Sequence, residues 1–302
     1  MKKLVIGSRG SKLALWQAEF IKKELVRTDD VKIEIKVIKT TGDRIDNVSF
    51  SKMEGKGFFT KEIEEELLAG TIDIAVHSMK DLQTVMPDGL DIGAVCFRAD
   101  PRELILIRPE SYDEDQPLRV KHDAVIGTSS VRRQCQIVDK MPGVFLKDLR
   151  GNVPTRVNKL RDGLYDAIII ASAGVDRIEV DTSGLRRQLL DLETFVPAPA
   201  QGILAIQLRE DDAATREVVS PLDEPALRNQ ISIERGLLTR LEGGCQLPLG
   251  AVTIADGGRY RLHAVLGIEI DGRWDHLNRA DLEGENPDQL VEEAFRLLTE
   301  QK

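Results

Sequence analysis

The sequence predicts an α/β protein of two similar domains followed by a small α+β domain with an antiparallel sheet. Three observations predict it. Short apolar strand patterns alternate with amphipathic helical patterns up to about residue 220, the rhythm of largely parallel sheets covered by helices. Two echoes recur in the same order: Val5-Ile6-Gly7-Ser8 in Val125-Ile126-Gly127-Thr128-Ser129-Ser130, and Leu67-x-x-Gly70-x-x-Asp73 in Leu160-x-x-Gly163-x-x-Asp166. Beyond that, strand patterns are separated by Asp256-Gly257-Gly258 and Asp271-Gly272, which favour tight hairpins.

Residues 3–8 read as the first strand, and Ser11 as the N-cap of a helix carrying Leu13, Trp16, Phe20, Ile21 and Leu25. Residues 31–38 alternate Val31, Ile33, Ile35 and Val37 with Lys32, Glu34 and Lys36, a strand with one apolar face. Residues 40–57 read as a long loop. Thr60 is placed to cap a helix through Ile63, Leu67 and Leu68 that Gly70 closes, and Ile72–Val76 reads as a strand. His77-Ser78-Met79-Lys80-Asp81 stands at its C-terminal end, and His77 reads better as structural than as a base. Proline-bearing segments at Ala99-Asp100-Pro101 and Val196-Pro197-Ala198-Pro199-Ala200-Gln201-Gly202 mark two crossings between domains. The expected division is 1–98 with 198–218, then 99–197, then 219–302, with a cleft between the first two. A helix over about 224–241, three strands and a helix from about Pro287 to Leu298 complete the third.

Composition narrows the function. The chain has 302 residues, 41% hydrophobic and 31% charged, with net charge -9. An acidic chain with 4% aromatics argues against a nucleic-acid or anionic-membrane surface. No apolar run approaches the ~20 residues of a membrane span, and the first residues read as a strand and not an export signal. Cys96, Cys135 and Cys245 are few and scattered, as in a reducing cytoplasm. His77, His122, His263 and His276 make no metal-ligand spacing with them, so no metal is expected. Dinucleotide, Walker, nucleophile-elbow and zinc signatures are absent.

The candidate chemistry lies in arginine, aspartate and cysteine. Arg9, Arg132, Arg133, Arg150, Arg156 and Arg177 fall at strand ends, in adjoining loops or in first helical turns. Any one alone reads as a solvated surface charge. In Thr128-Ser129-Ser130-Val131-Arg132-Arg133, hydroxyls and guanidiniums come together at a helix start, and an anion site is the better reading. Asp81 is suited to stabilise a developing cation or move a proton, with a helix cap as an equal reading on local grounds. Cys245 lies in Glu242-Gly243-Gly244-Cys245-Gln246-Leu247-Pro248-Leu249-Gly250, which cannot be regular structure. On that stretch alone, a half-buried turn residue is the better reading.

Taken together, these motifs resemble the porphobilinogen deaminase (hydroxymethylbilane synthase) family. The resemblance rests on Val76-His77-Ser78-Met79-Lys80-Asp81, Gly127-Thr128-Ser129-Ser130-Val131-Arg132-Arg133-Gln134, Arg150-Gly151-Asn152-Val153-x-Thr155-Arg156 and Gly243-Gly244-Cys245-Gln246. It implies two periplasmic-binding-protein-like domains and a third carrying the cysteine. It implies a transferase of tetrapyrrole, porphyrin and heme biosynthesis that joins four porphobilinogen molecules head to tail, releases ammonia at each step, and then frees hydroxymethylbilane by hydrolysis. The primer implied is a dipyrromethane cofactor held by a thioether, which falls on Cys245. The catalytic aspartate falls on Asp81, and Ser78, Lys80, Thr128, Ser130, Arg132, Arg133, Arg150 and Asn152 are the implied cofactor contacts. Arg9, Arg150, Arg156, Arg177 and Gln201 are implied on the substrate side, with Lys52, Lys56 and Phe59 on a loop over the cleft. A cytoplasmic monomer is the family expectation. Gly10, Lys12, Gln83 and Ala200 depart from the usual pattern, Ala200 replacing a common glycine. The competing reading is a non-enzymatic two-domain binder of small anions with Cys245 unmodified.

Overall fold

The structure, a computed structural model, describes residues 2–28, 31–41, 60–242 and 247–300. Cys245, Lys52, Lys56 and Phe59, and most of the loop expected over 40–57, lie outside the described residues. In chain order the elements are β1 (Lys2–Ser8), α1 (Lys12–Thr28), β2 (Val31–Val37), α2 (Lys61–Leu68), β3 (Ile74–Ser78), β4 (Leu90–Cys96), β5 (Glu103–Ile107), β6 (Val125–Gly127), α3 (Val131–Lys140) and β7 (Phe145–Lys147). They continue with α4 (Val153–Arg161), β8 (Ala167–Ala171), α5 (Ser172–Asp176), β9 (Arg186–Leu189), β10 (Leu204–Arg209), α6 (Ala213–Val219), α7 (Pro225–Arg240), β11 (Leu249–Asp256), β12 (Arg259–Ile270), β13 (Arg273–Gly284) and α8 (Pro287–Glu300).

The chain divides into two compact units. One takes the described residues before Asp100 together with Gly202–Arg228; the other takes Asp100–Gln201 together with the described residues from Asn229 onward. Both crossings fall in the proline-bearing segments. The α+β segment is counted with the second α/β domain, and that unit resumes at Asn229.

Each unit holds a five-stranded mixed sheet. In the first the order is β2-β1-β3-β10-β4, with β1 parallel to β2 and β3, and β10 antiparallel to both of its neighbours. In the second the order is β7-β6-β8-β5-β9, with β6 parallel to β7 and β8, and β5 antiparallel to β8 and β9. Both sheets therefore put their single reversed strand in the fourth place. The second unit also carries the antiparallel sheet β11-β12-β13. Its turns Gly257-Gly258 and Asp271-Gly272 have positive φ at both central residues, the backbone of two-residue hairpins.

The echoes have a physical basis. Gly70 and Gly163 both have positive φ just after a helix and end it. Leu67 and Leu160, three residues earlier, are fully buried. Asp73 and Asp166, three residues later, make the same pair of bonds to the strand in second place of their sheets, β1 and β6. The Asp73 carboxylate accepts from Val5 N at 2.7 Å while its own N–H donates to Val5 O at 2.9 Å. Asp166 does the same with Val125, at 2.8 and 2.9 Å. Because Gly70 and Asp73 are committed to this turn, β3 begins at Ile74, two residues later than the expected strand.

Burial follows the expected alternation over the first half of β2, where Val31 and Ile33 are buried while Lys32 and Glu34 are exposed, but Ile35 is half-buried and Val37 at the strand end is exposed. Leu4, Ile6, Ile21, Leu25, Ile74 and Ile206 form the first core. In the second unit one sheet face packs Ile105, Ile107, Ile126, Ile137 and Phe195, and the other packs Leu104, Leu106, Val157, Leu160 and Ile168. Each fully buried Leu, Ile or Phe contributes about 1.5–3 kcal/mol. Ser11 caps α1 as expected, its Oγ accepting from Ala14 N at 3.2 Å. Thr60 is the N-cap residue of α2 but makes no side-chain cap bond: its φ -120, ψ -30 is helical, not the extended conformation that aims a cap oxygen inward.

Candidate functional site

In the first unit, the candidate groups gather where β1 and β3 end side by side. The register that pairs Gly7 with Ala75 carries Arg9 to the level of His77. After Ser78 the chain makes a 3₁₀ turn, Met79–Asp81. Met79 and Leu82 are buried, Met79 N donates to Ile203 O at 2.9 Å, and Leu82 N donates to Met79 O at 3.2 Å. Held between these anchors, Lys80 is half-buried and Asp81 is exposed. The Ser78 hydroxyl accepts from Nε2 of buried Gln17 at 2.9 Å, a support the sequence reading did not name.

His77 is buried within β3. Its Nε2 lies 3.1 Å from Gln207 Oε1, and Gln207 Nε2 in turn donates to Glu64 Oε1 at 3.2 Å. With a carbonyl oxygen as partner, Nε2 carries the proton. Burial pushes the His77 pKa down to about 4; the Gln207 bond opposes this and the Arg9 charge adds to it. His77 is thus a neutral packing residue at physiological pH, in line with its structural reading.

In the second unit, the adjacent parallel strands β6 and β7 each open onto a helix N-terminus. From β6 the chain passes through Thr128-Ser129-Ser130 into α3; from β7 it passes through Arg150-Gly151-Asn152 into α4. Ser129 ties the two loops, its Oγ accepting from Leu149 N at 3.0 Å and donating to Leu149 O at 3.2 Å. Thr128 is buried and its Oγ1 accepts from Ser130 N at 3.2 Å. Ser130 is the N-cap residue of α3 but its hydroxyl makes no cap bond. Asn152 caps α4, its Oδ1 accepting from Thr155 N at 3.0 Å. Gly151 has φ +110, and a Cβ there would lie 2.7 Å from Thr155 Cγ2, so this approach needs glycine. Arg156 Nε donates to Gly151 O at 2.7 Å, and Lys159 Nζ to Arg150 O at 3.0 Å. Burial moves the Arg150 guanidinium below its usual pKa, with Asp148 opposing.

Arg132 and Arg133 depart from expectation. Neither presents an open fork: both are buried and share Glu103, the first residue of β5, which is fully buried. Glu103 Oε1 accepts from Arg132 Nη2 at 2.5 Å and Arg133 Nε at 3.1 Å, and Oε2 accepts from Arg133 Nη2 at 2.8 Å. The remaining Nη1 groups donate to Val196 O and Ile169 O, each at 2.9 Å. Burial lowers the Arg132 pKa and Glu103 pulls it back up. Two guanidiniums against one carboxylate leave one positive charge beneath the N-terminus of α3. The signal for Glu103 was an acid directly heading the apolar run Leu104-Ile105-Leu106-Ile107.

Two further residues complete the set. Arg177 lies in the turn that follows the C-terminal end of α5. Gln201 is fully buried, and its Nε2 donates to Pro101 O at 2.8 Å.

The residues present fit a ligand bearing several carboxylates. Adjoining helix N-termini, Arg150 and Arg156 beside them, and two buried guanidiniums sharing the one Glu103 carboxylate make this sheet end electropositive within an acidic chain. In the first unit, Asp81 is an exposed carboxylate suited to a pyrrole N–H.

Comparison with known proteins gives the same direction. Residues 4–217 match the family described as porphobilinogen deaminase, dipyromethane cofactor binding domain, and residues 229–296 match porphobilinogen deaminase, C-terminal domain. The chain is 45% identical over 270 residues to the porphobilinogen deaminase of Sulfurimonas denitrificans, covering 89% of this chain and 85% of that one. It is 43% identical to that of Nitratidesulfovibrio vulgaris, covering 94% and 88%, and 40% identical to that of Geobacillus kaustophilus, covering 100% and 95%. Among solved structures, a probable amino-acid ABC transporter extracellular-binding protein of Bacillus subtilis aligns at TM-score 0.47 and 14% identity, covering 80% and 96%.

Proposed function

Because the chain belongs to the porphobilinogen deaminase family, we propose that the groups described above carry hydroxymethylbilane synthesis, each in a distinct role. The enzyme is a transferase: it condenses four porphobilinogen molecules head to tail with loss of ammonia and then releases the linear product by hydrolysis. Dipyrromethane, when bound, supplies the free pyrrole position that the first substrate extends. Cys245 is the thioether anchor, reacting once as a thiolate. Ser78, Lys80, Thr128, Ser130, Arg150 and Asn152 hold the acetate and propionate groups of the primer. Arg132 and Arg133 act through the charge they share with Glu103. Arg9, Arg156 and Arg177 receive the carboxylates of incoming substrate, and Gln201 fixes its own turn against Pro101.

Asp81 is the catalytic group in this reading. As ammonia leaves porphobilinogen, positive charge develops on the pyrrole nitrogen. An exposed carboxylate held by a rigid turn accepts that N–H and stabilises the charge. It is also placed to move a proton as each carbon–carbon bond forms. The chain acts as a monomer in the cytoplasm; among the described residues no helix is long and apolar enough to cross a membrane.

The observation that carries the reading is the electropositive sheet end of the second unit, where two tied loops deliver two helix N-termini with Arg150 and Arg156. A substrate that gains two carboxylates per step requires such a surface. The test is intact mass and turnover of wild type and Arg150→Ala. We expect wild type to carry a mass excess of two pyrrole units and to turn over porphobilinogen. Arg150→Ala is expected to lose roughly tenfold or more in kcat/KM. Wild-type kinetics in Arg150→Ala refute its role. An unmodified, inactive wild type from cells making porphobilinogen refutes the enzyme reading and leaves the small-anion binder.

A further inference from the structure

Glu234 lies on α7 and is fully buried. Its two carboxylate oxygens take backbone N–H groups from two separate segments. Oε2 accepts from Ala200 N at 2.6 Å, and Oε1 accepts from Thr253 N, on β11, at 2.7 Å. Charge-assisted bonds of this length are strong, and inside a protein they fix the backbone they reach.

Ala200 has φ +61, a left-handed conformation in which Cβ crowds the following carbonyl. It is the third residue of the turn closed by the bond from Gln201 N to Ala198 O at 3.0 Å, a position where positive φ favours glycine. This chain has alanine there. Gln201 follows at once, locked to Pro101 O. Next, Gly202 has φ +88, and a Cβ there would lie 2.6 Å from Ala99 O. The same stretch is stitched to β11 a second time, by Ala251 N donating to Pro197 O at 3.0 Å. Residues 197–201 are therefore held in a conformation that local sequence disfavours, by a carboxylate from α7.

We propose that Glu234 is a positioning residue for the reaction: it holds Ala200 in its left-handed turn, so setting Gln201, and binds that turn to β11, the strand next in the chain after Cys245. The proposal rests on the reading above that Gln201 and Cys245 serve hydroxymethylbilane synthesis. Its consequence is specific to this chain. With glycine at position 200 the turn would form unaided, and the clamp would matter less.

The experiment compares Glu234→Gln with the double variant Glu234→Gln/Ala200→Gly, each as holoenzyme matched for cofactor content by intact mass. Glutamine keeps one acceptor and turns an NH₂ toward the other N–H. We expect a fall in kcat of about tenfold or more, faster amide exchange across 198–202, and recovery of most of both losses in the double variant. Should Glu234→Gln not accumulate, Glu234→Asp is the second probe, since it keeps the charge but is one methylene too short to reach both amides. Wild-type kcat and KM in a fully loaded Glu234 variant, with only thermal stability lowered, overturn the proposal. So does a double variant no better than the single one. Failure of the underlying reading is distinct, because it appears in wild type as a missing mass excess.

Discussion

Removing the Glu103 carboxylate tests the electrostatics of the second unit most directly. Glu103→Gln keeps the shape and takes away the charge that Arg132 and Arg133 share. Glu103 is 0% exposed and the arginines 5% and 6%, so water cannot replace it. Breaking one buried ion pair costs about 3–5 kcal/mol. Here one substitution breaks two pairs and leaves two guanidiniums repelling each other, so the loss belongs at the upper end, about 4–5 kcal/mol. That approaches the total stability of many domains. Removing Arg132 instead leaves Glu103 paired with Arg133 through Nε and Nη2, a neutral bidentate pair, and costs less. The ordering is therefore Glu103→Gln worse than Arg132→Met. The assay is urea unfolding followed by Trp274 fluorescence in a Trp16→Phe background, so that the signal comes from the unit holding Glu103. A loss below about 1 kcal/mol for Glu103→Gln, or an equal loss for Arg132→Met, refutes the charge count.

Other outcomes follow from the same geometry. His77 has a folded pKa of about 4, below the ordinary value of 6.5, so the unfolded chain binds more protons between those values. Its contribution is present above pH 6.5 and is lost as pH falls toward 4. Between pH 7.5 and 5 wild type should lose about 2 kcal/mol more stability than His77→Asn, read as the difference in unfolding free energy. Equal pH slopes would show that His77 takes up its proton alike in the folded and unfolded chain. Asp81→Asn should lose about 3 kcal/mol or more of transition-state stabilisation while its mass excess persists; near-normal single-turnover rates would remove it from the chemistry. Gly151→Ala should cost about 1–3 kcal/mol from its φ of +110 and the clash with Thr155, and should raise KM more than it lowers kcat. Unchanged KM would separate the Arg150–Arg156 loop from substrate binding.

The architecture was legible because it is written in local patterns. Alternation marks β2, the two hairpin turns carry their own glycines, and the repeated Leu-x-x-Gly-x-x-Asp does the same job twice. Element ends were less legible. β3 starts late because Asp73 is spent on the first strand, and Thr60 fails as a side-chain cap because its backbone is helical. The site was legible as a set of residue types but not as directions. Arg132 and Arg133 read as anion binders, yet their partner Glu103 lies 29 and 30 residues away in sequence, and no spacing rule joins them. Gln17 and Glu234 were missed for the same reason. Each is an ordinary polar residue on a helix whose role exists only once a distant partner reaches it, the Ser78 hydroxyl for Gln17 and two backbone amides for Glu234.

The reversed strand of the first five-stranded sheet has a consequence for how the chain comes off the ribosome. β10 lies between β3 and β4, yet it is made only after β5 to β9. Until Leu204–Arg209 emerge, β3 and β4 each present a bare edge, and the first sheet cannot close. The second sheet has its whole set of strands by Leu189. The usual N-terminal-first order is therefore inverted here. The later-made sheet closes first, and the nascent first unit waits with two open edges that are templates for mispairing. A chain stalled between residues 189 and 204 would carry one complete sheet and one incomplete one. That interval is where a holding chaperone would have the most to do.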